Sequence, residues 1–319
     1  MTARTGVNTL GEVAAFLKTV DKAAVTTHTG VDGDAVGSAV ALVYLLHNLG
    51  AEAVFCHSEP VPEYLRWLLP HEQLFEAPEG YDLLIVDTSR ADRAGVEDGP
   101  PRLNIDHHED NPLYAEYNLV NPRAAASAEI VYDLYLELGV PVDKPAAEAL
   151  YTAIRTDTGG FRFRNVSPRA HEIVAELMRA GVVPAEMYDR LNRTATIEQL
   201  NIVGVCMAKA VRYGKVLITT VENEDYERTE ATELDSKEAI DQLRSVAGVD
   251  VVAHLREVPE GTKASLRSET VDVGEIARRF GGGGHRLAAG YTMKGLRPEE
   301  AKERLLAELA DVVDLGGGR

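Results

Sequence analysis

The sequence predicts an α/β protein of two domains, with a mostly parallel sheet in the first domain. The chain has 319 residues, which is longer than one hydrophobic core usually supports. From residue 10 to about 157, short apolar runs alternate with amphipathic segments, a pattern typical of βαβ units. Residues 168–212 show helical patterns with few strand signals, and a second α/β segment follows. We therefore expect a first domain over 1–190, a helical connector over 191–212 and a smaller second domain over 213–315.

The predicted elements follow one another in this order. The strands predicted for the first domain are Ala23–Thr27, Ala53–His57, Leu83–Val86 and Leu103–Ile105. Its predicted helices are Leu10–Thr19, Val36–Leu49, Pro62–Leu68, Ala128–Leu138 and Pro145–Ile154. The second domain is predicted to contain strands at Val216–Glu222, Val249–Glu257 and Thr262–Ser268, and helices at Ser236–Val246, Val273–Phe280 and Pro298–Leu309.

Charge and composition exclude several classes of function. The chain has 33 Lys and Arg against 51 Asp and Glu, a formal net charge of −18, which disfavours tight non-specific binding to long nucleic acid. A small anionic ligand held by a metal or a local basic pocket stays compatible with that charge. Two cysteines are too few for a disulfide scaffold or a zinc ribbon. The N-terminus lacks the uncharged core of a signal peptide, and the uncharged run Ala35 to Ala51 is too short and polar for a membrane span, so we expect a cytoplasmic protein without a membrane anchor.

Reactive side chains follow several predicted strands of the first domain. In a parallel α/β sheet, ligands bind beyond the carboxyl ends of the strands. A further candidate, Asp157, lies in the stretch that follows the predicted helix Pro145–Ile154. We expect one edge of the sheet to collect His28, Asp32 and Asp34 after the first strand, Asp87 after the third, Asp106, His107 and His108 after the fourth, and Asp157 after the helix.

Each candidate also has an ordinary structural interpretation when taken alone. An Asp after a strand is commonly a turn former or an N-cap, Asp32-Gly33 is a turn signal, and the His107-His108 pair is followed by an acidic loop. Five aspartates and at least two histidines at one end of a sheet, however, would repel at low dielectric without cations. Carboxylates with a minority of imidazoles, too many for one centre, predict two divalent ions that share a bridging carboxylate. This donor set favours Mn²⁺, with Mg²⁺ or Co²⁺ as alternatives.

These segments together resemble the four motifs of the DHH phosphoesterase superfamily, in order and in spacing. The superfamily includes RecJ exonucleases, family II inorganic pyrophosphatases, cyclic-di-AMP phosphodiesterases and the nano-RNase/pAp phosphatases. Val31 stands where a proline usually precedes the first aspartate, which affects the stiffness of the loop and removes no ligand. The matching segments are His28-x-x-x-Asp32-x-Asp34, Val86-Asp87-Thr88, Asp106-His107-His108 and Asp157-Thr158-Gly159-Gly160-Phe161.

The resemblance implies a role for each candidate residue. One metal would be held by His28, Asp32 and Asp87. The other would be held by Asp34, Asp87, His107 and Asp157, with Asp87 bridging the two ions. His108 would face the scissile phosphate as a proton donor or oxyanion partner, and Asp106 would orient a histidine. The implied catalytic residues are therefore Asp87, Asp106 and His108.

A glycine-rich stretch, Phe280 to Gly290, marks the second domain. Its four successive glycines let the backbone approach an anionic ligand, although a glycine-rich linker or hairpin explains them as well. The stretch resembles the DHHA1-domain signature, and Ala264–Ser268 resembles the strand that accompanies it. This implies that the second domain faces the metal cleft, which holds the active site, and binds the nucleotide. The implied substrate-binding residues are Arg267, Ser268, Gly282, Gly283, Gly284 and His285, with Arg123, Arg162 and Arg164 as weaker candidates.

The resemblance covers nearly the whole chain and is strongest for the nano-RNase/pAp phosphatase branch. It implies a homodimeric two-metal phosphodiesterase that releases nucleoside 5′-monophosphates from short single-stranded oligonucleotides and removes the 3′-phosphate of pAp. A cyclic-di-AMP or pApA phosphodiesterase carries the same motifs and stays an alternative. A pyrophosphatase would lack the glycine-rich loop, and RecJ chains are usually longer. A catalytically silent nucleotide-binding regulator is disfavoured because every expected metal position is filled.

Overall fold

The computed structural model describes residues 6–96 and 99–316. The chain divides into two units, Met1–Thr194 and Ala195–Arg319, and each has its own sheet and hydrophobic core. The predicted two-domain α/β fold is confirmed. The predicted domain bounds, with a connector over 191–212, stay a prediction.

The first unit contains a five-stranded sheet in which every pairing is parallel. Its strands are β1 (Lys22–Thr26), β2 (Glu52–Phe55), β3 (Asp82–Val86), β4 (Leu103–Asp106) and β5 (Tyr117–Val120), in the spatial order β2-β1-β3-β4-β5. Its helices are α1 (Leu10–Leu17), α2 (Gly33–Asn48), α3 (Ser127–Leu138), α4 (Lys144–Asp157), α5 (Pro168–Arg179) and α6 (Pro184–Asn192), with short 3-10 helices at Glu63–Leu68 and Ala91–Arg93. The strand order reverses between β1 and β3, which is where such sheets bind ligands.

Helix α2 lies at the centre of the first unit, which explains the long uncharged run in its sequence. All but its last turn is largely buried against the sheet and helices α3 and α4. At Gly37, helices α2 and α4 approach so closely that a Cβ would lie 2.5 Å from the carbonyl oxygen of Ala149. Only glycine allows this contact, and the burial of α2 contributes most of its stability.

Two local predictions for the first unit differ from the structure. The segment predicted as an α-helix over Pro62–Leu68 is a 3-10 helix, because its Pro62 cap offers no side-chain oxygen to the first amides. Strand β5 was not predicted, since Tyr117-Asn118-Leu119-Val120 is short and contains a polar residue at its second position. It lies at the edge of the sheet and pairs with β4.

The second unit contains a six-stranded mixed sheet. Its strands are β6 (Val211–Tyr213), β7 (Val216–Val221), β8 (Val251–Val258), β9 (Gly261–Ser268), β10 (Gly283–His285) and β11 (Ala288–Lys294), in the order β10-β11-β9-β8-β7-β6. Only β7 and β8 are parallel. Its helices are α7 (Ile197–Ala208), α8 (Asn223–Thr229), α9 (Ala239–Leu243), α10 (Val273–Arg279) and α11 (Pro298–Leu309).

The glycine-rich stretch of the second unit is a β-hairpin formed by β10 and β11. A Cβ at Gly282 would lie 2.2 Å from the carbonyl oxygen of Gly290, and one at Gly284 would lie 2.6 Å from that of Ala288. Close strand pairing therefore requires at least two of the four glycines.

No helix within the described ranges 6–96 and 99–316 combines the length and the apolar character needed to cross a bilayer.

Candidate metal centre

The carboxyl ends of three neighbouring strands place the first group of candidate side chains. His28 follows β1 by two residues, Asp87 directly follows β3, and His107 directly follows β4. Because β1, β3 and β4 are adjacent and parallel, their carboxyl ends share one edge of the sheet. The edge between β1 and β3 is also the point at which the strand order reverses.

Two helices bring carboxylates to the same edge. Asp32 is the N-cap of α2 and accepts a hydrogen bond from the amide of Ala35 (3.0 Å), while Asp34 lies in the first turn of that helix. Asp157 is the last residue of α4. The two helix ends are in contact at Gly33, where a Cβ would lie 2.3 Å from Oγ1 of Thr156. The close approach of α2 and α4 therefore sets the spacing of these three carboxylates.

Asp87 lies at the centre of the cluster. It is 3% exposed and has φ of 57°, a left-handed conformation that is uncommon for residues other than glycine. Its Oδ1 accepts a hydrogen bond from Oγ of Ser127 at 2.9 Å. Nε2 of His28 lies 3.6 Å from its Oδ2, and Nε2 of His107 lies 3.5 Å from its Oδ1. Asp87 therefore faces imidazoles from both sides of the switch point.

Two histidines present the same nitrogen to the carboxylates. Nδ1 of His28 lies 3.1 Å from the carbonyl oxygen of Thr29, and Nδ1 of His107 lies 3.2 Å from that of Ala124. A carbonyl can only accept, so each Nδ1 carries a proton and each Nε2 is free to act as a ligand. This is the arrangement by which proteins orient metal-binding imidazoles.

The pKa values of three ionisable groups in the cluster are raised by burial or by neighbouring carboxylates. Burial, followed by the charges of Asp87 and Asp157, raises the pKa of Asp34 well above its usual range. Burial raises the pKa of Asp157 to about 6, although the neighbouring His107 opposes the shift. Burial lowers the pKa of His28, but its contact with Asp87 reverses this and the net shift is upward. A divalent cation would relieve all three effects.

The donor atoms fit two divalent ions. Among the residues that the structure describes, three triads have one ligand atom per residue within 4.8 Å of one another. Oxygen donors with a minority of imidazole nitrogens suit Mn²⁺ and similar ions. Asp87 and His107 each belong to two triads. The triads are His28, Asp32 and Asp87; Asp34, His107 and Asp157; and Asp87, His107 and His108.

Asp106 lies outside the triads and is hydrogen-bonded to His108, a member of the third triad. Asp106 is fully buried, and its Oδ1 accepts a hydrogen bond from Nδ1 of His108 at 2.7 Å. Asp106 also accepts from the amide of His107 (2.9 Å) and from Nδ2 of Asn111 (2.6 Å). The bond to Asp106 raises the pKa of His108 to about 9. The pair thus holds a protonated imidazole with its Nε2 directed away from Asp106.

A cavity of about 280 Å³ is lined by members of the triads, among them His28, Asp87 and His108. It is also lined by Arg93, a residue that the sequence did not point to. Arg93 lies on the short 3-10 helix Ala91–Arg93, which the isolated bridge between His28 and Ala94 holds against the end of β1. Ser127, which donates to Asp87, was also missed. Both residues reach the site by tertiary contacts, and neither lies in a segment with a recognisable local signal.

The second unit aligns two of its predicted substrate-binding residues. Arg267 on β9 pairs with Ala288 on β11, and Ala288 pairs with His285 on β10. Residues in one such row project from the same face of a sheet. Arg267 is half-buried, and burial lowers the pKa of its guanidinium. Arg267 and His285 therefore present two nitrogen donors on one face of the second unit.

The remaining predicted residues of the second unit have structural contacts. The hydroxyl of Ser268 donates to Oδ1 of Asp250 (3.0 Å) and accepts from the amide of Val271 (2.9 Å), so it holds the turn after β9. Gly282 and Gly284 are required by the hairpin, whereas a Cβ at Gly283 would meet no atom within 4 Å. The assignment of Ser268 and these three glycines to substrate binding stays a prediction.

An aspartate and histidine cluster at the switch point of a parallel sheet forms a candidate metal centre in an α/β fold. The chain belongs to the DHH family: residues 22–154 match the DHH family, N-terminal domain, and residues 214–314 match the DHHA1 domain. It is 37% identical to the bifunctional oligoribonuclease and PAP phosphatase NrnA of Thermus thermophilus, over 96% of this chain and 94% of that protein. It is 26% identical to the protein of the same name from Bacillus subtilis, over 88% and 91%.

Among solved structures, an exopolyphosphatase-related protein from Bacteroides fragilis has a similar fold. The TM-score is 0.83 with 23% identity, and the alignment covers 95% of this chain and 96% of that one. The predicted membership of the DHH and DHHA1 families is confirmed.

Proposed function

We propose that this chain is a two-metal phosphoesterase that releases nucleoside 5′-monophosphates from short oligonucleotides and removes the 3′-phosphate of pAp. The observation that carries the proposal is a chain of three overlapping triads that together contain all six predicted metal ligands, with Asp87 shared by two of them and His107 by two. The similarity to proteins named oligoribonuclease and PAP phosphatase over nearly the whole chain supports the choice of substrate. The net charge of −18 suits a short substrate, which needs only local positive charge.

The chain's own residues would position the substrate and move a proton. When bound, two divalent ions supply an activated water nucleophile and neutralise charge that develops on the phosphoryl oxygens. We assign one ion to His28, Asp32 and Asp87, and the other to Asp34, Asp87, His107 and Asp157, with Mn²⁺ preferred over Mg²⁺ or Co²⁺. His108, protonated through its bond to Asp106, donates a hydrogen bond to the phosphate or a proton to the leaving oxygen.

Positive and polar groups outside the triads would bind the rest of the substrate. We assign Arg93 to a phosphoryl oxygen because it lines the same cavity as Asp87 and His108. We assign Arg267 and His285 to the nucleotide, since they share one row of the second sheet. Both cysteines are buried thiols, which supports action in a reducing cytoplasm.

The test is a product time course with Mn²⁺ and five substrates: pAp, a 5′-phosphorylated dinucleotide, RNAs of about five and about twenty nucleotides, and cyclic-di-AMP. We expect pAp and the short linear substrates to react fastest. Faster hydrolysis of cyclic-di-AMP would contradict the substrate class, and no metal-dependent hydrolysis of any of them would contradict the function. A His108→Gln variant should keep its manganese and lose most of its turnover on every substrate.

A further inference from the structure

The first unit contains a second cavity that the metal centre does not use. Its volume is about 410 Å³, larger than the 280 Å³ cavity over the triads and within the range typical of small-molecule sites. It lies among the C-terminal end of α4, the 3-10 helix Glu63–Leu68 and helix α6. Its wall is formed in part by Arg155, Arg162, Tyr64 and Tyr188, and none of the described residues that line it carries a carboxylate.

The two arginines of this cavity retain free donors. Nη2 of Arg155 donates to Oδ1 of Asn192 (3.2 Å), and Nε of Arg162 donates to the carbonyl oxygen of Gly159 (2.6 Å). Neither guanidinium forms an ion pair with any residue in the described part of the chain. In a protein with 51 acidic and 33 basic residues, two guanidinium groups without carboxylate partners beside a cavity favour an anionic ligand.

The aromatic residues give the cavity flat surfaces. Tyr188 is 54% exposed, Tyr64 is 36% exposed, and the guanidinium carbon of Arg155 lies 5.8 Å from the centroid of the Tyr188 ring. The backbone of Tyr64 is fixed because its carbonyl accepts a hydrogen bond from Nε1 of Trp67 at 2.8 Å, and Arg190 covers the Trp67 ring at 4.3 Å. Exposed tyrosine rings beside arginines form a stacking surface for nucleobases.

The cavity is connected to the metal centre through α4. Thr156 lines the cavity and is followed directly by Asp157, a member of the triad with Asp34 and His107. The same threonine contacts Gly33, the residue after Asp32. The cavity therefore begins one residue from the candidate ligands, on the side of the triads formed by the ends of α2 and α4.

We infer that this cavity binds a second nucleotide unit of an oligonucleotide, beside the phosphate that is hydrolysed. The base stacks on Tyr188 and Tyr64, and a backbone phosphate contacts Arg155 and Arg162. The inference rests on the proposed function and extends it, because it identifies a site that pAp, with a single nucleoside, does not fill. It explains how a DHH-family active site distinguishes a short oligonucleotide from a mononucleotide.

The experiment compares three substrates: a 5′-phosphorylated trinucleotide, pAp, and bis(p-nitrophenyl) phosphate as a bare phosphodiester. Arg155→Ala and Tyr188→Ala should each raise KM for the trinucleotide about 10-fold, the effect of losing one stacked base or phosphate contact. KM for pAp and the rate with bis(p-nitrophenyl) phosphate should stay unchanged. Tyr188→Phe should behave as the unaltered protein because it keeps the ring.

The matched control is Arg179→Ala, which removes the same charge from α5, where the side chain is 68% exposed and pairs with Glu176. An unchanged trinucleotide KM in both Arg155→Ala and Tyr188→Ala would overturn the inference. Equal losses on all three substrates would also overturn it, because they indicate a structural role. Arg155→Lys serves as the conservative variant. The thermal midpoint of each variant shows whether its substitution causes a folding defect.

A direct binding measurement separates this inference from the proposed function. Fluorescence anisotropy with a labelled trinucleotide and metal-free protein requires no hydrolysis. If the unaltered protein hydrolyses no oligonucleotide yet binds the trinucleotide about 10-fold more tightly than Arg155→Ala does, the proposed function fails and the cavity assignment stands. If the unaltered protein and Arg155→Ala bind the trinucleotide equally tightly, the cavity assignment is wrong, whether or not the unaltered protein hydrolyses oligonucleotides.

Discussion

Replacing Asp87 by Asn tests the sharing of one carboxylate between two metal ions. Asp87 belongs to the triad of His28 and Asp32 and also to the one of His107 and His108, whereas Asp157 belongs to a single triad. Asn is among the residues best suited to the left-handed backbone at this position, where φ is 57°. The variant should therefore fold, and the loss of the anionic oxygen should be its main effect.

The size of the expected effect follows from the number of sites affected. At a free metal concentration 100 times the dissociation constant, each site stabilises the folded state by about 2.7 kcal/mol. Two sites give about 5 kcal/mol, which raises the melting temperature of a domain of this size by roughly 10 to 20 °C. Asp87→Asn should abolish nearly all of this increase, and Asp157→Asn should abolish about half.

The assay is differential scanning fluorimetry of metal-free protein with and without Mn²⁺, together with metal analysis of the dialysed samples. We expect two ions per chain in the unaltered protein, about one in Asp157→Asn and fewer than one in Asp87→Asn. If Asp87→Asn and Asp157→Asn lose the same part of the manganese-induced increase, then Asp87 does not serve both ions and our assignment of the bridging ligand is wrong.

Three further predictions concern the second unit and the core. Arg267→Ala and His285→Ala should raise KM for pAp several-fold and leave the manganese content unchanged. The control Arg304→Ala, on the exposed side of α11, should change neither quantity. Loss of manganese from Arg267→Ala or His285→Ala would contradict the assignment of these residues to substrate binding. Gly37→Ala should destabilise the protein by about 1 to 3 kcal/mol in urea unfolding because a Cβ there meets the Ala149 carbonyl. Gly204→Ala in α7, where a Cβ meets no atom within 4 Å, should instead stabilise by about 0.5 to 1 kcal/mol; equal effects would refute the packing argument. Burial, aided by Arg256, lowers the pKa of His254 to about 3, so below pH 6.5 the unfolded chain binds a proton that the folded chain does not, and stability falls as pH decreases. The loss of stability amounts to about 2 kcal/mol between pH 7 and 5. His254→Gln should remove this loss, as measured by urea unfolding at the two pH values. An unchanged pH dependence in the variant would show that His254 is not its source.

The sequence predicted the centre of the site well because the geometry of a parallel sheet is simple. Residues directly after adjacent strands must share one edge, so the approach of His28, Asp87 and His107 followed from the strand assignments alone. Asp157 was expected at the same edge from its place after a helix, but the contact between the ends of α2 and α4 that positions it depends on Gly33 and Thr156 and has no local signal.

Other features depend on contacts between distant parts of the chain and carry no local signal. Tyr64 and Tyr188 line one cavity although 124 residues separate them in the sequence. Ser127 reaches Asp87 only because α3 begins beside the edge of the sheet. From the sequence, the glycine-rich stretch is compatible with a hairpin as well as with a ligand-binding loop, and only its pairing with Ala288–Gly290 identifies it as the hairpin of β10 and β11.

The most direct test of the account is an anomalous-scattering map from a crystal of the protein soaked in Mn²⁺. We predict two peaks on either side of the Asp87 carboxylate and within bonding distance of it, one also bonded to His28 and Asp32 and the other to Asp34, His107 and Asp157. A single peak, or two peaks of which only one contacts Asp87, would contradict the shared-ligand centre on which the proposed activity depends.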